Sequence, residues 1–146
     1  MVALEAYWRD EHDEPVVVRT ATELRTILDQ VHDLSTHGRV LAQLAAPKDK
    51  PVAFLDVGMN GDRGALYYTG TDHQEGCYSK GQATTDETDV LYYYMGSDTA
   101  YPSDSEIPIV AVRQAAEEFM ATARRPTSVE WQPMPERTDP DESDWF

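Results

Sequence analysis

The chain has 146 residues, 27 of them acidic and 12 basic, for a net charge of −15. A chain of about this length buries roughly 68–70% of its unfolded surface and needs neither metal nor disulfide to hold a core, and the single cysteine, Cys77, excludes an internal bridge. Affinity for polyphosphate comes from Lys and Arg, so direct nucleic-acid binding and anionic membranes are disfavoured, while an acidic surface speeds encounter with basic proteins. The acidity is local: residues 56–106 hold ten carboxylates against two cations, and residues 1–14 and 133–146 carry −4 each. The opening Met1-Val2-Ala3-Leu4-Glu5 lacks a basic segment followed by an apolar run. With no stretch near the ~18 apolar residues of a membrane span, a cytoplasmic location is expected.

In chain order, Val2–Trp8 reads as a strand, followed by the acidic loop Asp10–Glu14 and a short strand at Val16–Val18. Thr20 and Glu23 have capping-box spacing. Leu24, Ile27, Leu28, Val31 and Leu34 then share one helical face, and Gly38 supplies a stop. Val40–Leu44 and Val52–Val57 read as strands around the Pro47–Pro51 loop. Asn60-Gly61 predicts a tight turn that brings Ala65–Thr69 back against Phe54–Val57. Gly70–Gly76 reads as a polar turn leading to Tyr78, and Val90–Met95 as a further strand.

Pro108 suits the first turn of a second helix, with Ile109, Val112, Ala116, Phe119, Met120 and Ala123 as its apolar face. Arg124 and Arg125 would complement its C-terminal dipole, and Pro126 would stop it. Val129–Gln132 adds an edge strand. The expected fold is α+β: one antiparallel sheet of roughly six strands with two helices packed on one face. Residues 1–132 form the domain, and 133–146 an acidic, proline-containing tail.

No catalytic set emerges. His73 and Cys77 lie four apart beside Asp72 and Glu75, but in a glycine-bounded turn without a second ligand pair. Asp56, Asn60 and Gly61 echo a calcium loop, yet Gly58 and Tyr67 occupy its third and twelfth positions. No glycine-rich phosphate loop precedes a helix. Neither metal, cofactor nor enzymatic activity is expected. What remains is a set of acids interleaved with tyrosines: Asp72, Glu75, Tyr78, Asp89, Tyr92, Tyr94, Asp98, Tyr101, Asp104 and Glu106. Aromatics supply stiff contact area and carboxylates steer a basic partner. The competing reading places the tyrosines in the core.

The runs Gly76-Cys77-Tyr78-Ser79-Lys80-Gly81, Tyr92-Tyr93-Tyr94-Met95-Gly96 and Tyr101-Pro102-Ser103-Asp104-Ser105-Glu106-Ile107-Pro108, followed by Glu118-Phe119, Arg125-Pro126 and Val129-Glu130-Trp131-Gln132, carry a pattern. With Tyr7-Trp8 and the Val57–Gly64 hairpin, it resembles immunity protein family 1 of actinobacterial polymorphic toxin systems. The resemblance spans about Leu4 to Gln132. It implies an α+β antitoxin that neutralises a cognate basic toxin of deaminase or nuclease type by covering its substrate surface. Within Ser105–Pro108, it leaves open whether Ser105 or Glu106 caps the second helix or meets the toxin. Two alternatives use the same acids: a nucleic-acid mimic that sequesters a DNA-binding protein, and a small hydrolase with convergent carboxylates.

Overall fold

The computed structural model describes residues 3–8, 14–47, 52–83, 85–95 and 97–133. The acidic tail from residue 134, most of the Asp10–Glu14 loop and the centre of the Pro47–Pro51 loop lie outside the described residues.

Ten strands and two α-helices occur among the described residues. β1 (Leu4–Tyr7) pairs with both β2 (Val16–Val18) and β3 (Val40–Ala45). β3 continues through β4 (Ala53–Asn60), β5 (Arg63–Gly70) and β6 (His73–Ser79) to β10 (Trp131–Pro133), all antiparallel. β7 (Asp89–Tyr94) and β8 (Ser97–Pro102) form a hairpin that joins the sheet through one parallel bridge, Val40 to Tyr93. The two-residue β9 (Ile107–Pro108) pairs with the start of β5. The sheet is therefore larger than the six strands expected. β8 and β9 were missed because their segments are rich in Ser, Asp and Pro, which read as loop.

Helix α1 (Ala21–Leu34) starts where its caps dictate. Thr20 Oγ1 accepts from the Glu23 amide at 3.1 Å, and Glu23 Oε1 reaches back to the Arg19 amide at 2.9 Å. Its far end is pinned to the β4–β5 turn: His32 Nε2 lies 2.7 Å from the Gly61 carbonyl oxygen, and the Gly61 amide donates to Ser35 Oγ at 3.1 Å. That turn is Gly61-Asp62 rather than Asn60-Gly61, one residue later than expected; Gly61 alone takes positive φ, +65°. The following turn also tightens, with β6 beginning at His73.

Helix α2 (Ile109–Thr122) begins after Pro108, as its missing amide allows, but no side chain caps it. Ser105 and Glu106 are engaged elsewhere. The helix ends before Arg124 and Arg125, because Ala123 turns left-handed at φ +54° and donates its amide to the Phe119 carbonyl. Arg125 instead lies over the Trp131 ring at 5.8 Å. Glu118 accepts from the Thr127 and Ser128 amides at 2.6 and 3.1 Å and fixes the segment that leads to β10.

Alternation along the strands separates two cores. On one face, Leu55, Val57, Met59, Leu66 and Tyr68 pack under Leu24, Leu28 and Val31 of α1 and Val112, Ala116 and Phe119 of α2. On the other face, Leu41, Ala65 and Tyr78 pack against Val90, Tyr92 and Tyr101 of the β7–β8 hairpin. The helices share one face, as expected; the hairpin over the opposite face was not anticipated.

Candidate functional site

The hairpin decides what the acid-and-tyrosine segment presents. Cross-strand pairing puts Leu91 opposite Ala100 and Tyr93 opposite Asp98, with Asp89 on the same side. That side faces outward: Leu91 is 54% exposed and Tyr93 40%, and Asp89 and Asp98 are exposed around them. Val90, Tyr92 and Tyr101 face inward. Tyr92 and Tyr101 have ring centroids 5.0 Å apart, and Tyr101 and Tyr78 stand 5.1 Å apart edge to face, a geometry that ring quadrupoles favour. The approach needs a glycine beneath it, because a Cβ on Gly58 would lie 2.7 Å from the Tyr92 ring.

Under the hairpin lies a polar knot. The Glu106 side chain is 0% exposed and accepts from Arg39 Nε at 3.1 Å, Arg39 Nη2 at 3.2 Å, Asn60 Nδ2 at 3.1 Å and Tyr92 Oη at 2.6 Å. Burial alone would push its carboxyl up; the donors from Arg39, Tyr92 and Asn60 outweigh it and hold the group below its ordinary range. Burial first, and then the bond to Glu106, push the Tyr92 phenol well above its ordinary range. This constellation joins the entry to β3, the end of β4, β7 and the entry to β9 as a structural lock.

The ten residues singled out from sequence therefore fall into separate places. Tyr78, Tyr92, Tyr101 and Glu106 are interior, Tyr92 and Tyr101 on the hairpin's inner face and Tyr78 and Glu106 beneath it, and Tyr94 is half-buried against the same core. Asp89 and Asp98 lie on the hairpin's outer face. Asp104, partly buried, accepts from Gln132 Nε2 at 3.1 Å beside β10. Asp72 sits at the β5–β6 turn and Glu75 near the start of β6, where both line a cavity with His73, Cys77, Arg125 and Trp131. There Asp72 accepts from Tyr68 Oη at 2.6 Å. Burial raises the Cys77 thiol pKa despite nearby Arg125, leaving little thiolate at neutral pH. Among the described residues no three His, Cys, Asp or Glu side chains gather as a metal site.

Sequence reasoning passed over the outward residues Leu91 and Tyr93. It also passed over Asp56, set aside as a failed calcium position. Asp56 lies on the hairpin side of β4, directly opposite Gln43, and lines a cavity of about 270 Å³ with Gln43, Phe54, Tyr67 and Thr69. Its Oδ1 is buried and meets no hydrogen-bond donor in the protein. Burial raises its pKa to about 6, against the pull of the Gln43 hydrogen bond. The available signal was a lone carboxylate inside the apolar run Phe54-Leu55-Asp56-Val57.

Fold and surface together describe an α+β protein with a filled aromatic interior and an acid-edged outer strip, without a convergent catalytic constellation among the described residues. The family model for immunity protein Imm1 matches residues 12–133, and the chain belongs to that family. No curated protein matches it. Membership implies a role in toxin immunity, that of an inhibitor that binds a cognate toxin. No helix among the described residues is long and apolar enough to cross a membrane.

Proposed function

We propose that this immunity protein neutralises a cognate toxin of the deaminase superfamily by covering its basic substrate surface with the outer face of the β7–β8 hairpin. The observation that carries the reading is Leu91 and Tyr93, both exposed, flanked by Asp89 and Asp98 on a hairpin whose inner face is locked to the sheet. Apolar and aromatic side chains on a rigid base supply desolvated contact without an ordering penalty, and the flanking acids steer a basic partner. An apolar hollow of about 420 Å³ beside Tyr93, walled by Trp8, Leu34 and Val40, extends the strip toward α1. A toxin acting on nucleic acid must present cations to phosphates, and the −15 charge of this chain complements such a surface.

Co-expression of the toxin from the adjacent reading frame tests the proposal. Cells should survive with this protein and die without it, and the two chains should co-purify. Survival lost equally in both arms would refute the immunity reading for that toxin, and an acyl-transfer or other non-nucleic-acid activity would refute the deaminase assignment.

A further inference from the structure

The Asp56 cavity does not belong to the outer strip, and its chemistry is specific. A cavity of about 270 Å³ is smaller than the roughly 300–1,000 Å³ of cofactor and drug-sized sites. It suits a single long side chain. Two of its walls are aromatic, Phe54 and Tyr67, and Asp56 with Gln43 contributes the polar part. Asp56 Oδ1 is buried and takes no hydrogen bond from the protein. Tyr101 Oη, likewise buried and without a partner, stands in the same layer of the fold. Buried polar atoms are almost always satisfied, and a carboxylate only accepts. The missing group is a donor, best a cationic one between aromatic faces.

We infer that this cavity receives a lysine or arginine side chain of the bound toxin, whose cationic head pairs with Asp56 between Phe54 and Tyr67. The inference rests on the immunity reading for the identity of the occupant. Charge complementarity supports it: among the described residues, Asp56 Oδ1 is the buried carboxylate oxygen that meets no donor, whereas the buried Glu106 already has Arg39. A basic anchor inserted here would bridge the sheet and the partner in a desolvated pocket, the setting in which interface hot spots arise.

The experiment has two arms. In the first, dissociation constants of the purified toxin complex are compared for the wild-type chain and Asp56→Asn, which keeps the side chain's shape. Removing the charge from a buried pair should weaken binding by about 30-fold or more, chiefly through faster dissociation, while the far-ultraviolet circular dichroism stays unchanged. Equal affinity in the two chains overturns the inference and leaves the immunity reading standing. If the wild-type chain does not bind the toxin, that reading fails for that toxin and the second arm decides. There n-butylammonium and N-propylguanidinium, analogues of the two side chains, are titrated while the Asp56 carboxyl and Tyr67 ring resonances are followed. Saturable shifts in the wild type that vanish in Asp56→Asn support a cation-receiving pocket. Absence of shifts with both probes overturns it.

Discussion

An ionised Asp56 should be a liability to the free protein, and the size of that liability follows from its position. Burial lifts its pKa from 3.8 to about 6. At 1.36 kcal/mol per unit, the folded state holds the charged form about 3 kcal/mol less favourably than the unfolded chain does. Above pH 7 both states are ionised and the whole penalty acts. Between pH 6 and 4 the folded protein binds a proton before the unfolded chain does, so stability recovers as pH falls; below about pH 4 the penalty is gone. Asp56→Asn removes the titration and keeps the shape. Urea unfolding at pH 8 should find the variant about 3 kcal/mol more stable, near 10 °C in Tm for a domain of this size, with the advantage shrinking to nothing by pH 4. Every other carboxylate is common to the two chains and cancels in the difference. A variant no more stable than wild type at pH 8, or a difference indifferent to pH, would refute the reasoning. A residue that weakens the free fold and strengthens a complex is the usual signature of a binding position.

Other perturbations follow from the same geometry. Arg39→Leu strands the buried Glu106 carboxylate and should cost about 3–5 kcal/mol at pH 7, with the cost falling in acid as Glu106 protonates; denaturant titrations at pH 7 and pH 4.5 would show this. Gly58→Ala drives a methyl to within 2.7 Å of the Tyr92 ring and should cost about 1–3 kcal/mol, with displaced Tyr92 and Tyr101 ring resonances. Reversing Asp89 and Asp98 to Lys should slow toxin association about tenfold in 10 mM salt and little in 1 M salt, as stopped-flow mixing would record. Leu91→Ala and Tyr93→Ala together should instead speed dissociation, with the association rate nearly constant.

Much of the scaffold was legible because its signals are local. Thr20 and Glu23 set the start of α1 through bonds that span three or four residues, and Pro108 opened α2 for a reason intrinsic to its ring. The apolar rhythm of Leu24, Ile27, Leu28 and Val31 needed only a helical period to become a face. Errors gathered where the determinant was distant. Nothing near Ala123 announces a left-handed turn; the chain bends there so that Trp131 can close the sheet and Glu118 can hold Thr127 and Ser128.

The surface was less legible, for a reason visible in three consecutive residues. Tyr92, Tyr93 and Tyr94 carry no alternation of polarity, so their sequence cannot say which ring turns inward; docking of the hairpin over Gly58 decides it, burying Tyr92 and exposing Tyr93. Glu106 looks like a surface acid until Arg39, 67 residues away in the chain, arrives beside it. Asp56 looks like a misplaced strand residue until Gln43 on β3 and Tyr67 on β5, its cross-strand neighbours, wall it into a cavity. By itself, then, the sequence determined the secondary elements with local caps and periods, the acidic character and the family pattern. Tertiary structure alone decided which acids and tyrosines meet solvent, because burial depends on contacts between segments that have no sequence proximity.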